Sequence, residues 1–409
     1  MSLRIHVSTL RRQSLMPLLV LLQVMLACAI LCNVLFLTWQ QLEPMLAPSG
    51  VDTSNLILVD RLDASTGQWT VADVQAGVQA LREVPGVHAV SAANSLPMVF
   101  GMIYAYGMQG PTRIKVGVNV YAGEGVAHTL GLRLVEGRDF LPGEYRGAGG
   151  YESMARPVII TQALARKLFG KTDALGQRVA DPEEPAGAGY QVVGIVRHLL
   201  RNQLGRATQG HADDTMLMPQ RVGGTPMPLL YAVRVDPAMR EAALRGVRKA
   251  IQRQFGTRLS PGTHARASFY DTRSSEAFKS RRAALWLFAG VALTVVVVTV
   301  IGIMGLTGFW VQKRTRQIGI RRALGARRVD ILRYFLAENA LIVSIGILLG
   351  MLLAYLGNHS LMRYYELPRL PWGYLPLGAV IMLLLGQLAV LGPALRAAAV
   401  PPVVATRST

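Results

Sequence analysis

The chain has 409 residues and a formal net charge of +19, most of its 43 cationic side chains being arginine. That balance would suit a nucleic-acid binder, yet 51% of the residues are hydrophobic, only 16% are charged and the mean hydropathy is +0.32. These values exclude an ordinary soluble basic protein and point to long segments buried in lipid.

Residues 1–14 carry Arg4, Arg11 and Arg12 and precede the uncharged run Leu15–Leu37. The run is too long for the apolar core of a signal peptide, so an uncleaved membrane anchor over 15–38 is expected. Three further apolar segments, 283–311, 334–356 and 374–396, can each cross a hydrocarbon layer of about 30 Å as a helix of roughly 20 residues. Cys28 and Cys32 lie one turn apart in the first span and read as small membrane residues. Gln23 and Asn33 in the same span read as hydrogen bonders to neighbouring helices. Gly302, Gly305 and Gly308, and then Gly346 and Gly350, are small-residue stripes suited to close helix packing, with Glu338 an ionisable group that needs a partner at membrane depth.

Residues 312–333 hold eight cations, Lys313, Arg314, Arg316, Arg321, Arg322, Arg327, Arg328 and Arg333, against Asp330 alone. The other short loop, 357–373, has Arg363 and Arg369 opposed by Glu366. By the bias of Lys and Arg toward the cytoplasm, 312–333 is a cytoplasmic loop, 357–373 is periplasmic, and the termini 1–14 and 397–409 are cytoplasmic. Segment 39–282 then lies outside. It contains no cysteine, and its length allows a core that needs no disulfide.

Within that segment, 40–50 reads as a short link. Asn55–Val59 is a strand, Thr70 caps a helix from Val71 to about Glu83, and Val87–Ser91 is a second strand. Near the other end come a strand at Leu229–Val235, a helix opened by Asp236-Pro237 and running to about Phe255, and a strand near Ala267–Tyr270. Residues 51–118 and 229–275 are expected to form one α+β subdomain, with 119–228 a mixed or β-rich subdomain inserted into it. In the insert, Pro157–Thr161 and Gln191–Val196 are strands, Gln162–Phe169 is a helix ended by Gly170, and Pro142–Gly150 looks poorly ordered. The expected fold is thus an α-helical membrane protein of four transmembrane helices, with a large two-subdomain α+β periplasmic domain between helices 1 and 2.

No phosphate-binding loop, H-E-x-x-H, C-x-x-C or G-x-S-x-G pattern occurs. His198 and His211 flank a polar loop without metal-ligand spacing. Asp213-Asp214 and Glu183-Glu184 read as solvated loop acids. No catalytic or metal site is expected, and the chain is taken to be a non-enzymatic component.

One stretch is distinctive. RTRQIGIRRALGA at 314–326, followed by DILRYFLAE at 330–338, resembles the FtsX-like permease domain of the MacB type. EGRDF at 136–140, PVIITQALARKLFG at 157–170, ALGQRV at 174–179 and YQVVGIV at 190–196 are similar to the MacB-type periplasmic core. PALRAAAVPPVVATR at 393–407 resembles the closing motif of that family. The resemblance implies a permease of a mechanotransmitting ABC transporter. Such a permease pairs with a second permease, binds a separate ATPase subunit and exports a drug, peptide or similar substrate through a periplasmic adaptor and an outer-membrane duct. MacB carries a fused ATPase and this chain shows none, so ATP and Mg belong to the partner, and no cofactor is expected here. The same layout also suits a lipoprotein-releasing permease of the LolC/LolE type, an FtsX-like regulator of cell-wall hydrolases, or a sensing permease.

On this reading Arg316, Ile318, Gly319, Ile320, Arg321, Arg322, Ala323, Leu324 and Gly325 form the ATPase-coupling element. Val311–Leu324 would continue the second transmembrane helix until Gly325 stops it, and Asp330 would sit in the first turn of the next helix. Ile320, Ala323 and Leu324 share a face rimmed by arginines, which suits a groove on a partner or anionic lipid and not nucleic acid.

Overall fold

In the computed structural model the described residues are 15–99, 105–111, 114–147, 156–170, 173–180, 189–202, 211–224, 229–365 and 371–399. They form two compact units, Pro44–Lys279 and the segments up to Glu43 and from Ser280 onward. Arg4, Arg11, Arg12, Glu183-Glu184, Glu366, Arg369 and residues 400–409 lie outside the described residues.

The first unit contains eleven strands and five α-helices among the described residues, the last of them α6 (Tyr270–Ala277). Its smaller sheet joins β1 (Leu56–Leu62), β2 (Val87–Ala93), β10 (Leu229–Val235) and β11 (Arg266–Phe269) in the order β11-β1-β10-β2, every pairing antiparallel. Helix α2 (Val71–Arg82) connects β1 to β2, and α5 (Arg240–Phe255) connects β10 to β11. Two β-α-β units therefore interlock, each placing one strand between the two of the other, as in ferredoxin-like folds. Both ends of the segment are needed to build this sheet, as the sequence suggested.

The sheet is covered on both faces. Ile57, Val59, Tyr231 and Val233 pack beneath α2 and α5 with Val74, Leu81, Val247 and Phe255. Leu56, Leu58, Leu230 and Ala232 face the other way, onto Tyr121, Leu130, Ile159 and Leu199 of the inserted lobe. Two-sided burial explains why NLILV is an unbroken apolar run and not an alternating one.

Helix α2 starts at a full capping box. Thr70 accepts from the Asp73 amide, and Asp73 accepts from the Thr70 amide. Asp73 also receives the Arg258 guanidinium at 2.6 Å. The hydrogen bonds from Arg258 and Thr70 hold its carboxyl well below the usual carboxylate range. A folded-state value below the unfolded one stabilises the fold above the unfolded carboxylate pKa of about 4, and that stability is lost as pH falls toward the folded value. We expect Thr70→Ala to weaken this end by about 1 kcal/mol and to speed amide exchange in the first turn of α2 about 5-fold. Asp73→Asn should remove the local acid sensitivity of that exchange, and equal acid sensitivity in the variant would disprove the linkage.

The inserted lobe is a seven-stranded mixed sheet. It comprises β3 (Ala105–Gln109), β4 (Lys115–Ala122), β5 (Leu134–Gly137), β6 (Arg156–Thr161), β7 (Arg178–Val179), β8 (Tyr190–Val196) and β9 (Thr215–Met218), with α3 (Val126–Leu130) and α4 (Gln162–Phe169). Strands follow the order β3-β4-β9-β6-β8-β5, and β7 also pairs with β8. Because β4 pairs with β9 from Asn119↔Thr215 to Ala122↔Met218 and β3 pairs with β4, residues 105–118 belong to the insert. The sequence reading had put them in the first subdomain. Two further corrections concern polar segments. Within the segment 142–150, residues 142–147 take a defined form, with a 3-10 turn at Pro142–Glu144 held by Arg138 on both Glu144 oxygens (2.8 and 2.6 Å) and with Tyr145 buried, and residues 148–150 lie outside the described residues.

Asp213-Asp214 is the second. Asp214 is fully buried and takes Lys167 Nζ at 2.7 Å while pairing with His211. Asp213 accepts the Leu199 amide at 2.7 Å and pairs with His198 at 2.8 Å, and burial pushes its carboxyl up. These acids tie α4 and β9 to the loop after β8; Asp214 is shut off from solvent and Asp213 is only partly exposed. Among the described residues no group of three His, Cys, Asp or Glu is disposed to hold a metal.

The second unit consists of α1 (Leu15–Leu46), α7 (Lys279–Lys313), the short α8 (Thr315–Ala323), α9 (Arg328–Tyr365) and α10 (Tyr374–Ala399). Four of these helices are long and apolar enough to cross a membrane. Helix α1 runs on to Leu46, past the expected end at 38, so most of the anticipated 40–50 link is helical. Gly346 and Gly350 of α9 lie against Val24 and Cys28 of α1, where a Cβ would stand 3.0 and 2.7 Å from those side chains. Gly378 of α10 meets Cys32 in the same way. Gly302 of α7 makes room for Gln23, whose Nε2 donates to the Val298 carbonyl at 3.0 Å. Asn33 does not bridge helices and returns its hydrogen bond to Ala29 of α1 itself. Among the described residues no atom lies within 4 Å of where a Cβ of Gly305 or Gly308 would be, so neither closes a helix contact there.

Candidate functional site

The basic loop folds into a defined element. Helix α7 stops at Lys313 and Arg314 adopts φ −103 and ψ 6, after which α8 begins. The expected continuous helix from Val311 to Leu324 is therefore broken at Arg314. One physical cause is local and one is tertiary. Thr315 Oγ1 donates to the carbonyls of Val311 and Gln312, competing with the helical ladder. Arg314 also points its guanidinium at both oxygens of Glu338 in α9, 3.2 Å each, and lies 4.4 Å over the Trp310 ring.

Glu338 is 1% exposed. A carboxylate that deep requires a charged partner, and Arg314 supplies it from the junction of α7 and α8. Asn339, the next residue, donates to the Gly386 carbonyl of α10 at 3.1 Å. The junction is thereby tied to α9, and α9 to α10.

Gly325 ends α8 as the spacing predicted. Its φ is +99, its amide donates to the Arg322 carbonyl and the Ala326 amide donates to that of Arg321, the paired hydrogen bonds of a Schellman motif. Arg327 then caps α9, its amide bonded to Asp330 Oδ2 at 3.0 Å, with Asp330 in the first turn.

The predicted coupling residues divide into two sets. Ile318 and Gly319 are buried, Ile318 joining a core with Val311, Ile331, Phe335 and Ala394. Ile320, Ala323 and Leu324 face outward with Arg316 and Arg321, Leu324 being 83% exposed and Ile320 48%. Arg321 lies 4.9 Å over the Tyr334 ring of α9. Between α8 and the first turns of α9 there is a cleft of about 560 Å³, bounded by Gln317, Arg321, Leu324, Asp330, Tyr334 and Phe335. The sequence reading missed Arg314, Trp310 and Tyr334. The visible signal was Glu338, an acid in an apolar run that had to find a cation.

The arrangement is an apolar, arginine-rimmed helix face with a buried underside, locked to two long helices by an ion pair, a cation–π contact and core packing.

Residues 289–402 match the FtsX-like permease C-terminal family and residues 26–250, more than half the chain, match the MacB-like periplasmic core domain. The chain is 27% identical over 311 residues to the macrolide export ATP-binding/permease protein MacB of Nitrobacter winogradskyi, covering 73% of this chain and 43% of that one. It is 27% identical over 333 residues, 78% of each chain, to the uncharacterized ABC transporter permease YvrN of Bacillus subtilis. It thus spans less than half the length of the MacB relatives it matches. The solved periplasmic region of MacB from Actinobacillus actinomycetemcomitans aligns at 13% identity with a TM-score of 0.36, over 57% of this chain and 97% of that one. With both family models matched in order along the sequence and four helices long and apolar enough to cross a membrane, the chain belongs to the MacB-like, FtsX-type family of ABC transporter permeases.

Proposed function

We propose that this chain is the permease subunit of a mechanotransmitting ABC transporter, driven by an ATPase on a separate cytoplasmic subunit. The observation that carries the reading is α8, whose Ile320 and Leu324 are exposed while Ile318 is buried and Arg314 is clamped by Glu338. A partner that seats on the exposed face moves α8, and the ion pair and core pass that displacement to α7 and α9. ATP and Mg are held and turned over by the partner, with the loop and both chain ends cytoplasmic. Relatives named for macrolide export and for pyoverdine export support an export role. YvrN, matched over most of both chains, is named as a permease, which supports the permease role.

Helix α7 buries only Thr299, Ile303, Thr307 and Val311, on one stripe, and leaves Trp286, Leu293, Ile301 and Phe309 exposed. That surface suits lipid and a second permease chain. Export then proceeds by motion of the periplasmic domains, assisted by an adaptor and an outer-membrane duct. The test is gentle purification from the native membrane with identification of what accompanies the chain. An ABC ATPase together with a periplasmic adaptor is expected. A lipoprotein chaperone in place of the adaptor would replace export with extraction, and the absence of any ATPase would overturn the reading.

A further inference from the structure

A second concavity lies in the other unit, between α5 and the edge strand β11. Its volume is about 590 Å³, and Arg245, Arg248, Lys249 and Arg266 line it together with Gln252. Among the described residues no acidic one lines it.

Two of the four cations are oriented by the protein. Arg248 donates from Nε and Nη2 to the Ala267 carbonyl of β11, at 3.1 and 3.0 Å, and Arg266 is held by Glu276. Arg248 Nη1 has no protein partner among the described residues. Arg245 and Lys249 are exposed and have no ion pair among the described residues. The single acid of α5, Glu241, sits one turn before Arg245 and makes no ion pair with it.

Arg245 lies three residues from Arg248 and four from Lys249, so like charges face each other on one side of one helix, which destabilises the helix when nothing neutralises them. A neighbouring anion removes that penalty. The guanidinium of Arg248, planar and already fixed, suits two oxygens of one group. The site is concave and of small-molecule size, which favours a small ligand over a flat protein surface.

We propose that this concavity is a binding site for a small oxyanion carrying two or more negative charges. It is separate from the α8 face and does not depend on the coupling role. The multivalent oxyanion can be a free solute or a lipid headgroup phosphate, and the experiment separates them.

Pyrophosphate is titrated calorimetrically into the full chain in neutral detergent, in about 0.1 M salt so that long-range attraction by the net charge is screened. Arg245→Gln combined with Lys249→Gln should weaken binding at least about 10-fold, two charge-assisted contacts being lost. The exposed control Arg82→Gln on α2 should leave binding unchanged. Without pyrophosphate the double variant should melt at or above the wild-type temperature, because crowded like charges have gone. The titration is repeated in bilayer discs of phosphatidylcholine and of phosphatidylglycerol. Pyrophosphate binding lost only in phosphatidylglycerol identifies the headgroup as the source, and binding retained in both identifies a free anion. No binding by wild type, unchanged binding by the double variant, or equal weakening by Arg82→Gln would each overturn the proposal.

Discussion

Glu338→Ala is expected to destabilise the helical unit by about 3–5 kcal/mol, because it leaves the Arg314 guanidinium unpaired in a site with little access to water. Arg314 is 12% exposed at its side chain and Glu338 only 1%, so neither charge can be satisfied by solvent where it stands. The cost should fall toward the lower figure if Arg314 straightens to the membrane surface, as long cationic side chains do. Arg314→Met alone should be as harmful, since it strands a buried carboxylate. Combining Arg314→Met with Glu338→Leu should recover most of the stability, because two apolar side chains replace two desolvated charges. Thermal unfolding of the purified chain in detergent reads all three variants. If each single variant melts like wild type, the ion pair does not secure the junction. The double variant carries the more informative result. Should it be stable yet fail to pass ATP-driven motion to its partner, the ion pair sets the α7–α8 angle and does not merely hold the helices together.

Leu324→Asp should leave insertion and folding intact, yet reduce association with the ATPase by about 30-fold or more. Leu324 is 83% exposed, so in the isolated chain the new carboxylate is hydrated and the stability change stays within about 0.5 kcal/mol. In a docked complex the same carboxylate would be buried among apolar groups without a partner. Ile320→Asp, one turn earlier on the same face, should act in the same direction. Ile318→Asp is the contrasting control, because Ile318 is buried in the helix core and its substitution should impair folding itself. The measurement is the affinity of the purified permease for its co-purifying ATPase, alongside melting of the permease alone. Normal affinity in the Leu324→Asp and Ile320→Asp variants would rule out the outward face of α8 as the docking surface.

The division between what was legible in the sequence and what was not follows the range of the interactions involved. Spans, strands and caps depend on neighbours within a few residues, so apolar run lengths, Thr70 as a helix cap, and Gly170 and Gly325 at helix ends could all be read directly. The extended run of NLILV said strand, although only the two covered faces of the sheet explain its lack of alternation. The errors share a cause. Residues 105–118 were assigned to the wrong lobe because strand partners are chosen by pairing across about 100 residues, which no local pattern records. Asp213-Asp214 looked solvated because Lys167, which buries one of them, comes more than 40 residues earlier. Asn33 and Gln23 carry similar chemistry in one helix, and only packing decides that Gln23 reaches α7 while Asn33 turns back on α1.

The basic loop shows the same boundary at the site itself. From sequence alone came its placement between two spans, its cationic character, the stop at Gly325, and the shared face of Ile320, Ala323 and Leu324. These rest on hydropathy, charge bias and helical periodicity, all local properties. Tertiary structure decided the burial of Ile318 beside the exposed Ile320 and the clamp on Glu338 24 residues away, and with the local hydrogen bonds of Thr315 it set the break at Arg314. A buried carboxylate in an apolar helix must take the cation that packing brings to it, and that requirement bends the chain where sequence periodicity would have kept it straight.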